Sequence, residues 1–176
     1  RTIPKKVLKK TNALACNDYL EIINDKNIHA IYISIPTGIK LKWTLLALKS
    51  KKHILIEKPA TMKLSESRKI TRLAIKNNCV LKENFMFLYH KQHKFVKSLM
   101  DKKFMGEIKV INSTFTYPKY KKNSYRNSKL LGGGALYDVG CYSLKLANYF
   151  LKGQLKIDNS TLIKKNKIDV FGNVSI

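Results

Sequence analysis

Acidic residues are scarce in this chain: 11 Asp and Glu stand against 35 Lys and Arg, a formal net charge of +24 over 176 residues. Such an imbalance raises nucleic acid as a partner. The lysines, however, are spread along the whole chain rather than gathered on one element, and Asn and Ile are abundant too. The charge therefore reads as compositional bias, and no specific nucleic acid is expected. The one exception in texture is KYKKNSYRNSK (119–129), which interleaves Tyr with Lys and Arg as single-strand binders do.

Cysteine is equally sparse. Cys16, Cys79 and Cys141 are far apart and odd in number, which excludes a disulfide framework or a paired metal site and points to a reducing, cytoplasmic setting with no metal. No apolar run is long enough to span a bilayer. No apolar stretch follows the basic RTIPKKVLKK, so neither a membrane nor a signal peptide is expected. No glycine precedes Gly38, and there is no internal repeat. What remains is 44% hydrophobic, ordinary for a globular chain of one or two domains.

The first half alternates helical and strand patterns, the signature of βαβ units around a parallel sheet. A short helix is expected over 17–25, capped by Asn17 or Asp18, followed by a buried strand, AIYISIP (30–36). The helix at 39–50 has Leu41, Trp43, Leu45 and Leu48 as its apolar face, and HILIEKP (53–59) is the next strand. Ser65 is expected to cap a helix running to Asn77, with a strand at 79–84 and a helix at 90–103 after it. Beyond Gly106 the pattern changes. EIKVINSTFTYP (107–118) alternates and is rich in β-branched and aromatic residues, which predicts a strand of an open sheet. A glycine-rich loop and helix (132–151) follow, then two strand-like stretches near 161–163 and 168–176. The expected fold class is α/β: a partial Rossmann unit over residues 1–104, then a C-terminal α/β part over residues 105–176 with an open, mostly antiparallel sheet.

Two motifs carry chemistry. Glu57-Lys58-Pro59 ends the strand HILI, at the edge of a doubly wound sheet where ligands bind. Pro59 disfavours the helical region for Lys58 and holds it extended, so its ammonium can reach a substrate hydroxyl. A lysine that ends a strand in solvent would read the same way. The second motif is LGGGALYDVGCYSL (131–144). Three glycines allow a tight turn before a helix on which Asp138 and Tyr142 are four apart and share a face. Leu136, Val139, Leu146 and Phe150 form a neighbouring stripe for the core, leaving Asp138 to fix hydroxyls and Tyr142 to act as general acid toward a carbonyl. The alternative is a tyrosine packed at a seam beside an ordinary helix charge.

Together, strand-EKP, ENFMFLYH (83–90) and GGGALYDVGCY resemble, in order and spacing, the glucose–fructose oxidoreductase / inositol dehydrogenase / rhizopine catabolism (Gfo/Idh/MocA) family over essentially the whole chain. The resemblance implies an N-terminal Rossmann domain, a C-terminal α/β domain and NAD(P)-dependent redox chemistry on sugars. It implies that Ile35, Pro36 and Thr37 lie along the dinucleotide, that Glu57 meets the nicotinamide ribose and that Lys58 meets both the ribose and the substrate. Asp138 would bind substrate. Tyr142, at the last position of the D-x-G-x-H pattern, would exchange the proton, a place where tyrosine is known among sugar and dihydrodiol oxidoreductases and nucleotide-sugar ketoreductases. ENFMFLYHKQHKFVKSLM, FTYP and Arg126 look most like ketoreductases of nucleotide-linked deoxysugars, which adds Arg126 and His90 as substrate contacts; His90 also reads as a helix-start histidine.

Several positions depart from the family pattern. The pyrophosphate-binding G-x-G-x-x-G is absent, and the usual P-N-x-x-H is Pro36-Thr37-Gly38-Ile39-Lys40. The stretch is expected to be truncated at both ends, to begin where the family's second strand finishes and by itself to bind a dinucleotide poorly. Arg1 would then be the residue that meets a 2′-phosphate, which favours NADP over NAD. A homo-oligomer through the C-terminal sheet is also expected. The two functional classes to separate are a sugar or nucleotide-sugar oxidoreductase and a non-catalytic remnant with a basic surface for nucleic acid or another polyanion.

Overall fold

A computed structural model describes residue 11 and residues 13–151 and 155–176. Three parallel strands, β1 (Ala30–Ile33), β2 (His53–Glu57) and β3 (Leu81–Asn84), form a sheet in the order β1-β2-β3. The registers Ala30↔His53 and Ile54↔Leu81 bring the carboxyl ends of all three strands to one edge. Helix α1 (Tyr19–Asn24) precedes the sheet and is capped by the Asp18 carboxylate, which accepts from Leu20 N at 3.0 Å. Helices α2 (Thr37–Lys49) and α3 (Leu64–Lys76) make the crossovers that parallel pairing requires.

The core lies on one side of this sheet. Ile33, Ile54 and Ile56 point into it, met by Ala47 and Leu48 of α2, Ile70 and Ala74 of α3, and Ile23 of α1. The other sheet face is uncovered among the described residues: Tyr32 is 55% and Leu55 39% exposed. The expectation of a buried first strand is therefore corrected. Strand β1 alternates, and it ends at Ile33 rather than at Pro36.

Helix α2 departs further from its expected face. The residues it buries are Thr37, Lys40, Thr44, Ala47 and Leu48, while Leu41, Trp43 and Leu45 are only partly covered. Compact or polar side chains take the stripe where the helix runs over the strand ends, and the larger apolar ones pack at its flanks. Helix α3 is likewise not capped by Ser65. It starts at Leu64 with Lys63 as N-cap and no side-chain cap. Glu66 reaches back instead to accept from Met62 N at 3.1 Å, doing the work of a cap from inside the first turn.

After β3 a 3₁₀ turn (Met86–Tyr89) leads into α4 (Lys91–Asp101). The segment 107–118 forms no strand, which corrects the open-sheet expectation for it. Alternation gives a segment one apolar face, but a strand also needs a hydrogen-bonded neighbour. Here the segment crosses a helix instead: Ser113 Oγ donates to Ser143 Oγ at 3.0 Å, and Phe115 stacks on Tyr142 with ring centroids 5.5 Å apart. That helix opens with one π turn (Leu136–Gly140) and continues as α5 (Cys141–Phe150). Its stripe Leu136, Val139, Leu146 and Phe150 is half-buried rather than core. Strands β4 (Asn159–Lys165) and β5 (Ile168–Ser175) close the chain as an antiparallel pair. The fold is thus a Rossmann-like parallel sheet with helices, followed by a two-stranded antiparallel sheet.

Candidate functional site

Both motifs meet at the carboxyl edge of the parallel sheet. Strand β2 delivers Glu57 and Lys58 there, and the glycine loop delivers Asp138 from 80 residues away. The loop fits because two of its glycines adopt positive φ, +77° at Gly132 and +116° at Gly134. A side chain at Gly134 would run into the Asp169 carboxylate, which itself accepts from Leu136 N at 2.6 Å and so anchors the π turn from β5. At the other side of the loop, Gly38 N donates to Leu131 O at 3.1 Å, fastening it to the start of α2.

Asp138 is the hub of the cluster. Its Oδ2 accepts from Arg126 Nε at 2.7 Å and from the Tyr120 hydroxyl at 2.5 Å, and Lys58 Nζ stands 3.4 Å from Oδ1. Lys58 Nζ also donates to the Asp138 backbone carbonyl. Burial works to raise the Asp138 carboxyl, but the hydrogen bonds from Tyr120 and Arg126 and the Lys58 charge outweigh it and hold it below its ordinary 3.8. Burial and the same carboxylate push Tyr120 up.

Tyr142 is held by its ring. Lys58 Nζ lies 4.5 Å from the ring centroid, Phe115 stacks on it, and Phe85 and Phe87 pack at 5.8 and 5.9 Å. Its hydroxyl makes no hydrogen bond to any described residue. Burial, then nearby negative groups, raise its pKa, so it keeps its proton at neutral pH. Lys58 therefore sits over the Tyr142 ring rather than bonded to its oxygen.

Glu57 is presented by a separate network. Asn84 Nδ2 donates to its carboxylate at 2.7 Å, and so does the Tyr32 hydroxyl. Burial would raise Glu57, but these donors and the Lys40 charge keep it low and ionised. Ser34, Ile35 and Thr37 continue from it around a polar cavity of about 150 Å³ that also reaches Lys58, Arg126 and Asp138. A longer, shallow groove runs along α3 between Arg68, Arg72 and Lys76, away from all of these groups.

Of the residues singled out from the sequence, Glu57, Lys58, Asp138, Arg126 and Tyr142 converge, with Ile35 and Thr37 on the cavity wall and Pro36 as the N-cap of α2. His90 is not brought to the cluster. It is exposed, caps α4 by accepting from Gln92 N at 3.2 Å, and packs edge-on against His93. Arg1 lies outside the described residues. Two residues escaped the sequence reading. Tyr120 was visible only as one of several tyrosines in a basic stretch. Lys40 stood out only as a departure from P-N-x-x-H, yet it is 1% exposed and donates to the carbonyls of Glu57, Lys58 and Pro59.

A family model described as "Oxidoreductase family, NAD-binding Rossmann fold" matches residues 4–85, and one for the GFO/IDH/MocA C-terminal domain matches residues 93–170. Among curated proteins, dTDP-3,4-didehydro-2,6-dideoxy-alpha-D-glucose 3-reductase of Saccharopolyspora spinosa is 33% identical over 89% of this chain and 48% of its own length. Trans-1,2-dihydrobenzene-1,2-diol dehydrogenase of Xenopus laevis is 30% identical over 80% of this chain and 42% of its own. A 3-ketoreductase from Actinomadura kijaniata, solved in complex with NADP and TDP-benzene, superposes with a TM-score of 0.91 at 30% identity, covering 97% of this chain and 53% of that one. The same ketoreductase has also been solved with one tyrosine changed to Phe and with one lysine changed to Ala. The chain spans about half the length of the curated relatives it matches.

Proposed function

The chain belongs to the Gfo/Idh/MocA oxidoreductase family, and from that premise we propose that it works in an NAD(P)-dependent enzyme that interconverts a carbonyl and a hydroxyl on a nucleotide-linked sugar. The observation that carries this reading is Tyr142: a ring packed on several sides beside a lysine, with its protonated hydroxyl left unbonded. Tyr142 is half-buried, and a tyrosine with a packed ring commonly bonds its hydroxyl to a neighbouring group. One kept without a partner next to a cation is suited to hand a proton to an incoming oxygen.

The donor set fits a nicotinamide ribose. An ionised Glu57 can accept from ribose hydroxyls, and Ser34, Ile35 and Thr37 line the same polar wall at the strand ends. When bound, the nicotinamide supplies or receives the hydride. Tyr142 exchanges the proton at the substrate oxygen, Lys58 polarises that oxygen, and Asp138 with Arg126 orients the neighbouring hydroxyls. The lysine and tyrosine changed in the Actinomadura ketoreductase are separated by the same number of residues as Lys58 and Tyr142, which supports assigning these two roles here. NADP is favoured over NAD, since NADP occupies that relative.

In this reading residues 1–104 serve the dinucleotide and residues 105–176 the substrate, in a cytoplasmic enzyme. No helix among the described residues is long and apolar enough to cross a membrane. The exposed Leu162, Ile163, Val170 and Phe171 of β4 and β5 support a homo-oligomer formed through that sheet. The test is isotope transfer in the intact protein: incubation with 4-deuterated NADPH and a dTDP-ketosugar should place deuterium on the reduced sugar carbon. Unlabelled product, or none across a panel of ketosugars and both cofactors, would sink the proposal.

A further inference from the structure

Lysine is almost never buried without a partner, yet Lys40, in the second turn of α2, is 1% exposed. Its three N–H donors all face main chain: Glu57 O at 2.5 Å, Pro59 O at 2.9 Å and Lys58 O at 3.4 Å. Sheet pairing stops at Glu57↔Asn84, and among the described residues no strand orders the two residues beyond it. Pro59 has no N–H to contribute to a turn of its own. Helix α2 therefore does at the strand end what a neighbouring strand does elsewhere in the sheet.

We propose that Lys40 is a positioning residue for Lys58, gathering the carbonyls of Glu57, Lys58 and Pro59 and so setting where the Lys58 side chain leaves the strand. The same helix fixes the opposite half of the site, since Gly38 N holds Leu131 O at the start of the glycine loop that leads to Asp138. One rigid element thus registers both the lysine and its carboxylate partner. Holding a charge there is costly. Burial, with the Lys58 charge acting in the same direction, pushes the Lys40 ammonium down to about 8, while Glu57, Glu83 and Cys141 act to raise it. A group kept at that cost, with every donor aimed at one turn, sets geometry that an apolar side chain would not.

The effect of Lys40 on turnover rests on the oxidoreductase reading; its effect on Lys58 does not, so the two are read separately. Competitive acetylation of the intact protein, followed by peptide mass spectrometry, reports each lysine's accessibility. Lys52 is the internal control, being 6% exposed and bonded to Asp25 O and Ile28 O at the other end of the sheet. In Lys40→Met, Lys58 should acetylate severalfold faster while Lys52 is unchanged, and kcat should fall with little change in KM for the dinucleotide. Lys40→Gln, with two amide donors, should restore part of both, and it is read the same way if the Met variant does not fold. Unchanged Lys58 labelling in a folded variant, or a parallel rise at Lys52, would overturn the proposal. Absence of turnover in the wild type as well, with Lys58 labelling still raised, would count against the oxidoreductase reading alone.

Discussion

Lys58 Nζ donates to the backbone carbonyl of Asp138 and stands 3.4 Å from its carboxylate, with the two side chains 13% and 11% exposed. The parallel sheet and the glycine-loop helix are thereby tied together at the point where the chemistry is placed. Removing one member of a buried pair strands the other, a loss of about 3–5 kcal/mol when the group left behind is charged. Asp138→Ala, which takes the carboxylate from Arg126 and Lys58 but keeps the backbone carbonyl that Lys58 also uses, should lower the unfolding free energy by about 3 kcal/mol. Urea titration would register a loss under about 1 kcal/mol as evidence that the pair contributes nothing net.

The same carboxyl gives a pH signature. Its folded value lies below its ordinary 3.8, so the folded state binds fewer protons than the unfolded state through that window. The stabilisation is complete above 3.8 and is lost as pH falls through the lower, folded value. The stability gap between wild type and Asp138→Asn should therefore be constant from pH 5 to 7, on the order of that window, and narrow below 3.8. A gap that does not change with pH across both regions would contradict the assignment.

Tyr142→Phe isolates the hydroxyl, because every ring contact to Lys58, Phe85, Phe87 and Phe115 survives the change. Turnover should fall by roughly a hundredfold or more, the usual scale for a general acid, while thermal stability stays near wild type. Wild-type turnover in this variant would leave Tyr142 without the role proposed for it.

Two glycines at positive φ differ in what surrounds them and in how far they lie from the left-handed helical region. Gly106 has φ +71° and open space around it, whereas Gly134 has φ +116° and the Asp169 carboxylate where a side chain would go. Alanine at Gly106 should cost about 1 kcal/mol from the left-handed backbone alone. At Gly134 the cost should be at least twice that, because overpacking adds about 1–3 kcal/mol and loosens the anchor on Leu136 N. Equal melting temperatures for the two variants would show that Asp169 does not constrain the loop.

The positive charge predicts little specificity. Fluorescence anisotropy against single-stranded DNA and RNA should give dissociation constants of roughly 10⁻⁴–10⁻⁶ M at physiological salt, weakening steeply as salt rises. A nanomolar, sequence-dependent complex at that salt would revive a nucleic-acid function.

Hydrophobic period and motif order determined a good deal by themselves. Ile54 and Ile56 alternate with His53 and Leu55, so one sheet face had to be apolar. Glu57-Lys58-Pro59 and Asp138-x-Gly140-x-Tyr142 name their residue types without reference to any neighbour, because local backbone rules and side-chain chemistry act at short range. What depended on long-range contact was decided only in three dimensions. Residues 107–118 alternate as a strand would, but strand pairing needs a partner, and the segment found α5 instead. Lys40 looks like any helix lysine in a chain with 35 basic residues, and only the placement of α2 across the strand end turns it toward three carbonyls. His90 carries the right chemistry for a site but spends it on the first turn of its own helix. Asp138 and Tyr142 share a face by spacing alone, yet that Lys58 joins them from the other half of the chain is a property of packing, which no local pattern encodes.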